Sequence, residues 1–163
     1  MNYLLFTVFI GVGATAVMDL WGLARKPLVG IAPPDYALVG RWIAHMTHGR
    51  FRHDSIAVSA PVRGEHLIGW TAHYLTGIAF AALLIGIWGL AWLRHPTIGP
   101  ALVVGLGTVA APFLLMQPGM GAGIAASRTP RPAAARLQSL ITHAVFGLGL
   151  YATGRAAHLI CSI

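Results

Sequence analysis

LIGWTAHYLTGIAFAALLIGIWGLAWL, residues Leu67–Leu93, contains no Asp, Glu, Lys or Arg from end to end. A helix rises about 1.5 Å per residue and a bilayer core about 30 Å thick needs about 20 apolar residues, so this run is long enough to cross a membrane. The rest of the chain agrees with it. Only 9% of the 163 residues are charged, against roughly one quarter in a soluble domain. Mean hydropathy is +0.71, and a soluble fold of this length could not hide so much apolar surface.

Three further runs flank this one. Tyr3–Ala24 carries a single charge, Asp19; another lies within Pro96–Ser127; the last, Leu137–Gly154, is bracketed by Arg136 and Arg155. No Lys or Arg precedes the first run, as the n-region of a signal peptide would require, so it is expected to stay in the membrane. The expected fold is all-α: one membrane domain over residues 1–163, with spans at about 3–24, 67–93, 99–121 and 137–157 forming a four-transmembrane-helix bundle. Of the 11 Lys and Arg residues, all but Arg94 and Arg155 fall in the first and third loops. Positive charge marks the cytoplasmic side, so those loops are cytoplasmic and both termini periplasmic. The net charge of +7 then reflects topology and attraction to membrane lipid, and no nucleic-acid partner is needed. Cys161 is the single cysteine and has no partner in the chain for a disulfide.

The cytoplasmic loop 25–66 opens with Pro27, Gly30, Pro33 and Pro34, residues that punctuate regular structure. Within it, Leu38, Val39, Trp42, Ile43 and Met46 recur at helical spacing opposite Arg41, His45 and His48. That predicts a short interfacial helix from Tyr36 to Thr47. Pro112 and Pro118 interrupt the third span, and Met116–Gly121 reads as a helix unwinding near the cytoplasmic face. A weak duplication is also visible. Gly69, His73 and Gly77 repeat as Ser139, His143 and Gly147, and the first and third spans both carry Gly-x-Gly, at Gly11/Gly13 and Gly105/Gly107.

Depth locates a candidate site. Counted from the cytoplasmic ends of the spans, Asp19, His73, Met116/Gln117 and His143 all fall within about 6 to 11 Å of that boundary. Ionisable groups inside a membrane are costly and generally face a bundle interior or a wet cavity, so Asp19, His73, Gln117 and His143 form the expected buried polar site. One reading is structural: Asp19 accepts a hydrogen bond from a histidine, and the small residues let helices approach closely. A second is a metal or haem site, with His73, His143, His45, His48 and Met116 as candidate ligands for zinc, copper or haem iron. A third is transport or proton relay, for which four helices are narrow, so a homo-oligomer is the implied partner. An enzyme is disfavoured. Arg41, Glu65 and His66 stand at the cytoplasmic mouth, but no nucleophile motif accompanies them, and adjacent helical residues point apart.

Gly13–Trp21 (GATAVMDLW), Val39–His45 (VGRWIAH), Gly64–Tyr74 (GEHLIGWTAHY) and Met116–Gly121 (MQPGMG) resemble the signature segments of domain-of-unknown-function family 2938. The resemblance runs over nearly the whole chain. It implies a small bacterial multi-pass protein of the inner membrane, and it carries over no catalytic residue, cofactor or substrate. The expected role is therefore a non-enzymatic binding module for a metal, haem or small ligand, with a small transporter or proton conductor as the alternative.

Overall fold

All four apolar runs become helix. The computed structural model describes residues 3–161, so the termini and the side chain of Cys161 lie outside the described residues. Helix α1 is Tyr3–Val29, α2 Tyr36–Met46, α3 Glu65–Arg94, α4 Ile98–Gly107, α5 Gln117–Met120 and α6 Pro132–Cys161. Single helical turns stand at Ile56–Val58 and Ile124–Ala126, and a π-type turn at Pro112–Met116. The protein is 78% helical, and among the described residues there is no strand.

Three segments are long and apolar enough to cross a membrane: Tyr3–Val29, Glu65–Arg94 and Ile98–Met120. The fourth expected span is not among them. Helix α6 has the length, at 30 residues, but Arg136, Gln138, Ser139, His143 and Arg155 break up its apolar character. Only 22–28% of each apolar window is buried inside the protein. Leu5, Leu20, Leu23, Ile87, Val103 and Leu115 are all exposed, an arrangement compatible with a membrane protein and costly in water.

The chain divides into two compact units. The first comprises the described residues up to Pro33, Tyr74–Thr108 and those from Ile141 onward. Its core is Ile10, Ala14, Ala81, Leu84, Phe146 and Leu150 with their neighbours, and Phe80 meets Phe146 edge-on at 6.1 Å. Small residues set its helix spacing. A Cβ on Gly105 would lie 2.5 Å from the Gly147 Cα, and one on Gly11 equally close to the Ile78 Cα beside Gly77. The glycine four positions after His73 and after His143 thus lies beside the first glycine of a Gly-x-Gly pair, Gly77 near Gly11 and Gly147 against Gly105. Thr15 and Thr108 turn their hydroxyls back onto the Gly11 and Gly105 carbonyls, each at 2.7 Å. Neither hydroxyl is left bare in an apolar setting. Helix α3 is broken at Gly89, whose φ of 68° only glycine adopts without strain.

The second unit comprises Pro34–His73 and Val109–Leu140. Asp35 caps α2, accepting the Ala37 N–H at 2.9 Å, and Trp42 and His45 form its buried face. The proline-containing segment widens rather than unwinds. Pro112 has no N–H to give, the Gln117 N–H reaches back to the Pro112 carbonyl in a π turn, and the helix continues through α5 to Gly121. Gly121 ends it at φ 96°.

Gly105→Val should lower stability by about 1–3 kcal/mol through overpacking against Gly147. Gly107→Ala, whose new methyl would meet nothing within 4 Å, should cost nothing. Thermal unfolding of both variants in the same detergent compares them; equal losses would contradict the close-approach account.

Candidate functional site

Arg41 projects from the middle of α2, and its guanidinium is fully engaged. Nε and one terminal nitrogen donate to the two Glu65 oxygens at 2.8 Å each. The other donates to the carbonyls of Ile56, Ala57 and Ser59 at 3.1–3.3 Å. Glu65 also accepts the Val62 N–H at 2.9 Å. Such a two-point arginine–carboxylate pair is stronger and more directional than a lysine pair, and here the side chains are only 12% and 17% exposed. The backbones of α2 and α3 must touch for this to form. Gly40 lies against the Glu65 carbonyl and Gly69 against the Tyr36 carbonyl, where no Cβ fits.

Glu65 opens α3 ahead of the apolar run that begins at Leu67. The Arg41 hydrogen bond, aided by the Val62 N–H, holds its carboxyl down at about 2 despite partial burial. His66 has a different role. Its Nε2 accepts from the Trp70 indole at 3.1 Å, so Glu65 and His66 serve separate partners.

His45 and His48, the expected pair on α2, have different fates. His48 is exposed, while His45 is buried, with Nε2 3.1 Å from the Ala60 carbonyl and Nδ1 2.8 Å from His53 Nε2. A carbonyl only accepts, so His45 carries its proton on Nε2 and presents a lone pair at Nδ1. His53 must then donate through Nε2, and its buried Nδ1 has no partner. Trp42 donates to the Phe51 carbonyl at 3.0 Å, and the His53 N–H to the Gly119 carbonyl at 2.9 Å. Gly119 lies directly under the Trp42 ring, where a Cβ would clash.

The four residues of the expected polar layer divide between the units. In the first, Asp19 accepts the Tyr74 hydroxyl at 3.0 Å. His143 Nδ1 is 3.2 Å from the Gly105 carbonyl and 3.1 Å from the Thr108 hydroxyl. Because that hydroxyl already donates to Gly105, Nδ1 is the protonated nitrogen and Nε2 keeps its lone pair. In the second unit, His73 stacks on the Tyr36 ring at 4.1 Å and meets Trp70 edge-on. Gln117 has a buried side-chain oxygen with no hydrogen-bond partner, and Met116 closes the π turn beside it. Among the described residues, no three His, Cys, Asp or Glu side chains gather as a metal site.

Tyr74 and Thr108 escape a sequence reading, since an ordinary hydroxyl carries no pattern of its own. So does a cleft of about 500 Å³ in the second unit, lined by Arg52, His53, Asp54, Ser127 and Arg128 among others. By sequence its arginines are only topological charges.

Glu65 has its folded pKa below the ordinary value of 4.5, so its contribution to stability is complete above that pH and disappears as the pH falls toward 2. Thermal melts across that window should show the loss in wild type and a flatter profile in Glu65→Gln. Parallel profiles would contradict the pairing.

A family model described as a protein of unknown function (DUF2938) matches residues 8–157. No curated protein and no solved structure matches the chain.

Proposed function

We propose a reading whose premise is that the chain belongs to the DUF2938 family: it is a multi-pass protein of a bacterial inner membrane that binds a ligand without transforming it. In this reading α6 is a fourth span, admitted beside the three more apolar segments because Gln138, Ser139 and His143 are partly buried while the exposed Arg136 and Arg155 stand toward its ends. The termini are periplasmic, α2 lies at the inner interface, and the ligand is a metal, haem or small molecule held by polar groups of the spans.

The observation that carries the reading is the state of His143. A carbonyl and a hydroxyl fix its Nδ1 proton, and this leaves the Nε2 lone pair as the nitrogen available to a ligand. A backbone partner on one ring nitrogen is how ligating imidazoles are commonly oriented. The Gln117 oxygen, buried without a partner, and the π turn before it add support. Buried acceptors are costly unless something satisfies them, and π turns recur at functional sites. Asp19 is the further polar group of His143's own unit, while His73 and Gln117 belong to the other.

Detergent-purified protein titrated with Zn²⁺, Cu²⁺ and haem tests this. Saturable binding near one equivalent by at least one of them is expected, weakened about tenfold or more in His143→Ala, on the order of one lost ligand bond. Absence of saturation by all three, or full retention in His143→Ala, contradicts the reading. Proton leakage through reconstituted vesicles that Asp19→Asn abolishes would replace it with transport.

A further inference from the structure

We propose a second binding site, separate from the polar layer of the spans: the cleft of the second unit takes a phosphate group. The cleft's two arginines, Arg52 and Arg128, form no ion pair with a described carboxylate. An exposed arginine by itself is ordinary. Two facing one concave space of about 500 Å³ are not, because the volume is that of a small-ligand site. A guanidinium also matches the oxygens of a phosphate in a two-point fork.

The cleft's frame is rigid and strained. On one side, Gly123, Ala125 and Ala126 have φ of 75°, 47° and 58°, left-handed values that alanine avoids. Hydrogen bonds hold this segment in place: the Arg128 N–H reaches the Ala122 carbonyl at 2.8 Å, and Arg136 Nε the Ala125 carbonyl at 2.8 Å. Strain of this kind persists where surroundings over-determine it, and it concentrates at ligand clamps. Ser127 adds a hydroxyl to the lining.

His53 supplies the second, independent feature. The chain from the Ala60 carbonyl through His45 commits His53 Nε2 to donating, and the buried Nδ1 has no partner. Nδ1 is thus a bare acceptor beside the two arginines, and a ligand hydroxyl, the P–OH of hydrogen phosphate or a headgroup hydroxyl, would satisfy it. Asp54 lies in the same lining and opposes an anion, which makes it a control of opposite sign. Two sources carry the ligand's chemistry, the headgroup of an anionic lipid and a soluble phosphate compound.

Protein in neutral detergent is titrated at fixed ionic strength with inorganic phosphate and, separately, with phosphatidylglycerol against uncharged diacylglycerol. Tryptophan fluorescence reports binding, because Trp42 is bonded to Phe51, next to Arg52. Saturable binding is expected, about tenfold or more weaker in Arg52→Gln and in Arg128→Gln, as for loss of a charge-assisted pair. It should be tighter in Asp54→Asn and unchanged in Arg63→Gln, an exposed arginine outside the cleft. A response to phosphatidylglycerol alone assigns a lipid headgroup; a response to inorganic phosphate alone assigns a soluble compound. Saturation by neither, or an Arg63→Gln loss as large as that of Arg52→Gln, overturns the proposal. The Asp54→Asn gain keeps it testable should an arginine variant fail to fold.

Discussion

One guanidinium holds the polar half of this protein together. Residues 47–64 contain a single helical turn, Ile56–Val58, and cannot hold their shape through a backbone ladder. Arg41 replaces that ladder. It grips the Glu65 carboxylate with two nitrogens and the Ile56, Ala57 and Ser59 carbonyls with the third, which ties α2, the 56–59 turn and the start of α3 to one point. The two glycine contacts that let α2 reach α3, the His45–His53 chain and the position of Trp42 over Gly119 belong to the same assembly. A lysine, with one compact charge and no planar fork, could not make these bonds together.

The first unit is built on a different constraint. Lipid tails are as apolar as leucine, so in the proposed membrane setting helices are not driven together by expulsion of water, and close packing has to serve instead. Glycine at Gly11, Gly105 and Gly147 provides it, and each threonine at those seams satisfies its hydroxyl within its own helix. At Pro112, in the second unit, the backbone bonds shift rather than vanish: the Gln117 N–H takes the Pro112 carbonyl five residues back.

Much of the architecture was legible in the sequence because its signals are local. Apolar runs with at most one charge gave α1, α3 and the Ile98–Met120 segment, and spacing gave α2 within one residue. Family membership was carried by Gly64–Tyr74 and Met116–Gly121. The fourth run is the least apolar of the four, because bracketing arginines mark where a run ends and do not make it apolar. The break at Gly89 was missed since glycine inside an apolar run has no local marker of its conformation. The site was less legible. Depth along a helix selects Asp19, His73, Gln117 and His143, but it cannot supply Tyr74, Thr108, Tyr36 or Trp70, whose partnerships depend on how helices turn about their axes. Arg41 and Glu65 were recognised as mouth residues, 24 positions apart, without their pairing. The cleft was invisible, since it depends on three left-handed residues and on a loop whose histidine answers another eight positions away.

Hydrogen exchange in detergent micelles tests the central role of Arg41 most directly. If the guanidinium holds the polar segment, Arg41→Ala should lose protection at the His53, Ser59 and Glu65 amides, which bond to Gly119, Ile56 and Val62, while amides in the first half of α1 keep theirs. Unchanged protection at those three positions would show that the segment is ordered by something other than Arg41, and would contradict the account.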